Sequence, residues 1–179
     1  PTARPARVLQ HHGAGLVLAF DDGARTVMFT VRLDPEPTVG DWVAYDKARS
    51  RVAALYPRIS LFKRRNAGDT SRTQAILANV DTVLIVTSAN HDFNVPRLER
   101  YLALAFEANV TPVIVITKAD ISDHPEDFAN EARAMKPGLA VVTVNARGPD
   151  VASVLSPWLI KGQTIALMGS SGVGKSTLV

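Results

Sequence analysis

The sequence predicts a small all-β barrel followed by an α/β unit with a parallel sheet. Three observations predict it. Residues 1–60 hold five short, Val-rich runs separated by turn residues. From Ala75 onward, β-rich apolar runs alternate with segments whose apolar residues recur at helical spacing. Charge divides at about the same place: residues 1–75 carry 12 Lys+Arg against 7 Asp+Glu, while residues 76–179 carry 8 against 10. A basic first part beside a slightly acidic second part implies two units with different partners, the basic one suited to a polyanion.

The runs of the first part are Arg7–His12, Gly15–Phe20, Arg25–Arg32, Asp41–Asp46 and Arg51–Leu55. His12-Gly13, Asp21-Asp22-Gly23, Asp34-Pro35-Glu36-Pro37 and the stretch from Asp46 to Ser50 divide them. Five short strands in so little chain imply a closed barrel of OB or SH3 type, and pattern alone does not choose between the two. The segment after Pro57 is basic and aperiodic, and residues 63–74 are read as a linker. In the second part, Val83–Thr87, Val113–Thr117, Ala140–Val144 and Thr164–Met168 read as strands. Helices are expected where Pro96 opens a stripe of Leu98, Tyr101, Leu102, Ala105 and Phe106, over Glu126–Met135 before Pro137-Gly138, and over Asp150–Trp158. Strands alternating with helices imply a parallel sheet covered on both faces.

Composition narrows the classes. With 46% hydrophobic and 21% charged residues the chain is an ordinary globular one, not a disordered tract. It contains no cysteine, which excludes disulfides, thiolate zinc sites and a cysteine nucleophile in this stretch. The apolar runs Val83–Val86 and Val113–Ile116 fall far short of the roughly 20 residues that span a bilayer. Arg4 and Arg7 lead into Gln10-His11-His12 rather than an apolar stretch, so no signal peptide is read. A cytoplasmic monomer without a membrane partner is expected.

The sharpest signal is Gly169-Ser170-Ser171-Gly172-Val173-Gly174-Lys175-Ser176, which fits G-x-x-x-x-G-K-[ST] in full. An apolar strand runs into it and a helix should follow. The glycines let successive N–H groups turn inward toward phosphate oxygens. Lys175 is expected to reach the β- and γ-phosphates as the catalytic charge, the Ser176 hydroxyl to ligate Mg²⁺, and Thr177 to complete the phosphate site.

Val113-Ile114-Val115-Ile116 leads into Thr117-Lys118-Ala119-Asp120, close to the N-K-x-D motif that reads guanine. One carboxylate, Asp120, can accept both adjacent donors of guanine, N1–H and the 2-amino group, and adenine offers no such pair on that edge. The Lys118 stem can lie along the base. Thr117 stands where asparagine is usual; its hydroxyl could do part of the work of tying this loop to the phosphate loop. At a further strand end, Asn145-Ala146 stands where a serine-alanine segment would offer a backbone N–H to the guanine carbonyl. The base motif precedes the phosphate loop by 57 residues, counted from Lys118 to Lys175. In Ras-like GTPases the phosphate loop comes first, so the order is a circular permutation.

With these motifs in this order, the chain resembles the RsgA family (also called YjeQ or EngC) of circularly permuted GTPases dependent on the small ribosomal subunit. Val39-Gly40-Asp41-Trp42-Val43, Pro57-Arg58-Ile59-Ser60-Leu61 with Lys63-Arg64, Ala78-Asn79-Val80-Asp81, and Phe93-Asn94 before Arg97–Leu102 carry the likeness over essentially the whole chain. The resemblance implies an N-terminal all-β OB-like barrel over 1–62 and an α/β P-loop GTPase domain with permuted motif order over 75–179, incomplete at its C-terminus. It implies GTP hydrolysis stimulated by the small subunit, a role in late maturation of that subunit, and rRNA contact through the barrel. GTP or GDP and Mg²⁺ are the implied ligands. A structural zinc, the switch segments and further strands are expected only downstream of Val179, so turnover by residues 1–179 alone is expected to be slow.

Other residues carry less. The four histidines lack metal-ligand spacing, and Trp42, Trp158, Tyr45 and Phe62 are read as core or contact residues before base-stacking ones. Arg58, Lys63, Arg64 and Arg65 are expected to meet RNA phosphates. Two rivals stand beside the GTPase: an ATP-dependent kinase or ATPase, against which Asp120 argues, and an RNA-binding module with a vestigial nucleotide site, against which the intact phosphate loop argues.

Overall fold

The computed structural model describes residues 3–12, 15–28, 33–66 and 69–179. They form two compact units, Pro1–Asn79 and Val80–Val179.

The first unit is built on five antiparallel strands: β1 (Ala3–His12), β2 (Gly15–Phe20), β3 (Gly23–Met28), β4 (Trp42–Asp46) and β5 (Arg51–Leu55). Their order is β3-β2-β1-β4-β5. Alternation sends Ala6 and Val8 of β1, Leu16 and Leu18 of β2, Val27 of β3, Val43 of β4 and Val52 of β5 to one face, where they bury together. Phe20, Leu33, Tyr45 and Leu55 pack against them. Among the described residues no helix packs on this face, and all five strands contribute to one cluster, as in a small barrel. β1 begins four residues before the Arg7 expected from sequence, and β3 ends by Met28; the remainder of the expected third strand, residues 29–32, lies outside the described residues.

The stretch read as a linker is a hairpin. β6 (Leu61–Asn66) and β7 (Asp69–Ala78) pair antiparallel. The sequence hides it because Lys63-Arg64 and Thr73-Gln74 put polar side chains on both faces, so no apolar period appears. What holds it is the backbone ladder and its base, where Phe62 and Ala78 are buried. Residues 67–68 of the expected linker lie outside the described residues. The boundary between the compact units accordingly falls at Asn79, not within 63–74.

A buried ion pair fastens the hairpin's base to the barrel. The Asp41 side chain is fully buried and that of Arg58 is 14% exposed. Arg58 Nε donates to Asp41 Oδ1 at 2.8 Å and its Nη2 to Oδ2 at 2.7 Å, while the Thr38 N–H donates to Oδ2 at 2.7 Å. The carboxylate in turn holds the Arg58 guanidinium above its ordinary pKa range. Asn79, in the left-handed region at φ 55°, donates from Nδ2 to the Gly40 carbonyl at 3.0 Å and accepts the Ile59 N–H at 2.9 Å. Gly40 sits at φ 86° with its Cα so close to β7 that a Cβ would lie 2.1 Å from the Ala78 carbonyl oxygen. Arg58 is therefore a structural residue here, and its expected role as a phosphate contact is corrected: its charge is already used.

The second unit is a parallel sheet of β8 (Thr82–Ser88), β9 (Thr111–Thr117), β10 (Ala140–Thr143) and β11 (Ile165–Met168), in the order β10-β9-β8-β11. Every residue of β8 is buried, as expected of a central strand covered on both faces. α1 (Val95–Glu107) is started by Asn94, whose side chain accepts the Arg97 N–H, with Pro96 in the first turn. It buries Leu98, Leu102 and Ala105; Phe106, expected in the same stripe, is 45% exposed and lies under the Lys136 ammonium. α2 (Pro125–Ala134) and α3 (Val151–Leu155) follow, and α4 (Lys175–Leu178) opens from the glycine loop. Among the described residues no helix is long and apolar enough to cross a membrane.

Asp41→Ala should destabilise the first unit by about 3 kcal/mol, because it strands a mostly buried guanidinium. Urea unfolding followed by circular dichroism reads this; Arg49→Ala, which removes an exposed side chain and leaves the Asp46 carboxylate its backbone donors at Ala48 and Arg49, should cost much less by the same measurement.

Candidate functional site

Chain order and spatial order diverge in the second unit. β8, β9 and β10 succeed one another outward, and β11 then returns to the other side of β8. The crevice at the carboxyl ends of the strands, where the winding reverses, is the usual ligand site of an open α/β sheet. Three loops leave the sheet around it, after β9, β10 and β11. They enclose a cavity of about 290 Å³.

The loop after β11 is shaped by its glycines. Gly169 has φ 153°, and a Cβ there would stand 2.3 Å from the Val86 carbonyl oxygen of β8. Only glycine lets the loop come so close to that strand. Gly172 and Gly174 lie in the left-handed region, at φ 80° and 94°. Between them Val173 is 1% exposed and packs with Leu84, Val86, Val113 and Val115, which pins the loop to the core. Lys175 Nζ donates to the carbonyls of Gly169 at 3.0 Å and Ser170 at 2.5 Å, so its charge lies inside the curl of its own loop. Ser171 and Ser176 are exposed. Ser176 sits in the first turn of α4, next to Lys175; a hydroxyl is a hard oxygen donor of the kind Mg²⁺ takes alongside phosphate oxygens and waters.

The loop after β9 is tied to this one. Thr117 is fully buried, and its Oγ1 lies 2.6 Å from the Val173 carbonyl and 3.0 Å from the Thr87 carbonyl. A hydroxyl has one proton, and the shorter contact is the one to the glycine loop. The bridge that asparagine would make from this position is thus made by threonine. Lys118 follows in the left-handed region at φ 59°, and Ala119–Ile121 form a turn of 3-10 helix that leaves Asp120 exposed at the cavity wall. After β10, Asn145 caps its own loop by accepting the Arg147 N–H on Oδ1 at 2.9 Å. The Ala119 N–H reaches the Val144 carbonyl at 3.4 Å, which joins the second and third loops.

Of the residues expected from sequence, Thr117, Lys118, Asp120, Asn145, Ala146, Gly172, Gly174 and Thr177 line one cavity. Gly169, Ser170, Ser171, Val173, Lys175 and Ser176 belong to the same loop but not to that wall. Ile121 and Arg147 also line it; each directly adjoins a recognised motif, and that adjacency is the one sequence signal for them. Trp158 packs half-buried against the core of this unit, as expected. Among the described residues no three His, Cys, Asp or Glu side chains gather as a metal site.

Comparison with known proteins gives a consistent outcome. The family model described as RsgA GTPase matches residues 55–179. The chain is 48% identical over 174 residues to the small ribosomal subunit biogenesis GTPase RsgA 2 of Vibrio parahaemolyticus, covering 97% of this chain and 48% of that protein. It is 52% identical over 141 residues to the small ribosomal subunit biogenesis GTPase RsgA of Mesorhizobium japonicum, covering 79% and 40%. The chain spans about half the length of the curated relatives it matches. Among solved structures, YjeQ from Thermotoga maritima matches with a TM-score of 0.73 at 23% identity, over 98% of this chain and 63% of that one. YloQ, a circularly permuted GTPase, matches with a TM-score of 0.71 at 22% identity, over 98% and 62%. These likenesses establish the fold: an antiparallel OB-type unit before a permuted α/β unit.

Thr117→Val keeps the shape and removes the proton, leaving the Val173 carbonyl of the buried bridge short of its donor. It should lower the stability of the second unit by about 1–3 kcal/mol, while Thr117→Ser stays near wild type. Thermal unfolding of the three proteins side by side checks this.

Proposed function

The chain belongs to the RsgA GTPase family, and on that premise we propose that its α/β unit binds GTP and, within the whole protein, hydrolyses it during late maturation of the small ribosomal subunit in the cytoplasm. The observation that carries this reading is the shared cavity: a carboxylate that can read guanine and a glycine loop that can hold phosphate form parts of one wall, bridged by the Thr117 hydroxyl.

In this reading Asp120 accepts N1–H and the 2-amino group of guanine, the Lys118 stem lies on the base, and the Ala146 N–H approaches the guanine carbonyl beside Asn145. The amides of Ser170 through Ser176, with Ser171 and Thr177 at the rim, turn toward the β-phosphate. Lys175 exchanges the carbonyls of Gly169 and Ser170 for β- and γ-phosphate oxygens. That exchange favours the charge-rich ligand, since a lysine satisfied by two neutral carbonyls gains a full anionic partner. Mg²⁺, held through Ser176 and the phosphates, would neutralise charge developing on the leaving group. Catalysis by these residues is positioning and electrostatic stabilisation, with no covalent step on the protein.

The first unit is the candidate rRNA-binding part. Its net charge is +5, from 12 Lys+Arg and 7 Asp+Glu in residues 1–79. Lys63 and Arg64 of β6 are exposed, while Arg58 is spent on Asp41.

Four outcomes are expected. Isothermal titration should show GTP preferred to ATP by ~4 kcal/mol, roughly a thousandfold, because a site built to hydrogen-bond a group rejects an analogue lacking it. Asp120→Asn should lose guanine and gain xanthine, whose 2-oxo group accepts from the new amide; a variant that still favours GTP overturns the assignment of Asp120. Lys175→Ala should abolish tight triphosphate binding with the fold intact by circular dichroism. For RNA, replacing Lys63 and Arg64 together by Ala should shallow the slope of log K against log[salt] by about 1.4 on single strands. An unchanged slope would show the hairpin to be a solvated surface only.

A further inference from the structure

The outer face of the barrel carries two large rings that its core does not use. The register of β1 on β4 sets Arg7 opposite Trp42. The ladder continues one step beyond β5, where the Tyr56 N–H donates to the Trp42 carbonyl at 2.9 Å. Directly opposed residues of paired strands share a face, so Arg7, Trp42 and Tyr56 form one row across three strands. Their neighbours Val43 and Leu55 point into the core, which puts this row outside. Trp42 is 42% exposed and Tyr56 43%. The Arg7 guanidinium carbon lies 5.3 Å from the indole centroid, and its Nη2 donates to the Asn79 carbonyl at 2.9 Å. The next row along the same face, Pro5–Ala44–Ala54, is small and flat. Each ring keeps about two-fifths of its surface exposed, and neither row contains a carboxylate.

We infer that this row is a stacking platform for unpaired bases of single-stranded RNA. The inference rests on the reading that the first unit meets rRNA, and it names where and by what chemistry. An aromatic ring on an exposed strand offers every base a π-face, and adjacent strands run about 5 Å apart, close enough for one strand of RNA to reach both rings. Arg7, already on the indole face, adds a cation where the sugar-phosphate of a stacked nucleotide would run. The +5 charge of residues 1–79 favours a polyanion over an acidic-poor protein surface as the occupant. A duplex keeps its π-faces inside, so the platform selects single strands.

The test uses the whole chain with Trp158 replaced by Phe, so that Trp42 is the single fluorophore of its kind, and two probes: a ten-nucleotide oligouridylate and a blunt RNA duplex of equal length. The oligouridylate should quench Trp42 emission. Trp42→Ala should weaken single-strand binding about tenfold and Tyr56→Ala several-fold, while Trp42→Phe keeps most of the affinity. Stacking releases no counterions, so the salt slope should not change in Trp42→Ala, and duplex affinity should be unaltered. Wild-type single-strand affinity in folded Trp42→Ala and Tyr56→Ala, alongside a slope lowered by the Lys63 and Arg64 substitutions, overturns the platform and leaves the rRNA reading standing. No RNA binding by the unsubstituted chain overturns both. A Trp42→Ala variant that loses small subunits but not oligouridylate reassigns the face to a protein partner and overturns the platform.

Discussion

The closeness of Gly169 to β8 is the constraint on which the second unit depends. With no side chain at that point, the loop leaving β11 lies against the Val86 carbonyl. That approach lets Val173 enter the core between Leu84, Val86 and Val115. It also brings the Val173 carbonyl within 2.6 Å of the Thr117 hydroxyl. A Cβ at 169 would push the loop off the strand, and the bridge to Thr117 would open with it. The cavity between the three loops follows from that seating, because its walls are the segments that the bridge holds together.

Thr117 and Val173 are 56 residues apart in the chain and adjacent in space. A parallel sheet makes this possible without regard to the order in which its strands are synthesised. β11 is the last of the described strands and pairs with β8, the first of its unit. All four strands point the same way, so their carboxyl ends, and the loops that follow them, meet on one edge. The Thr117–Asp120 loop and the glycine loop therefore meet on that edge whatever their order in the chain.

The first unit has its own organising contact in the Asp41 carboxylate, which is fully buried and accepts from Arg58 and from the Thr38 backbone. It joins the turn before β4 to the segment entering the β6–β7 hairpin. This contact changes how the basic residues are read. A run of Arg58, Lys63 and Arg64 looks uniform in sequence, yet one member is a structural cation paired with Asp41 through its Nε and Nη2, and the other two are exposed. Trp42 shows the reverse: a residue type that favours burial is held on the outer face by strand register.

The features legible in the amino-acid sequence are local ones. The glycine loop, the Thr117–Asp120 segment and the permuted order were legible because each motif is contiguous and demands particular residue types at fixed spacing. The strands of the α/β unit were legible because buried parallel strands read as continuous apolar runs, as β8 and β9 do. The hairpin of β6 and β7 was not, since it is solvated on both faces and carries no period. Nor was the partner of Arg58, the outward facing of Trp42, or the place of Ile121 and Arg147 in the cavity wall. Those are decided by tertiary structure. A charge finds its partner, and a ring its face, only when strand register and loop seating bring residues 17, 35 or 56 positions apart into contact, and no local pattern encodes which pairs will meet.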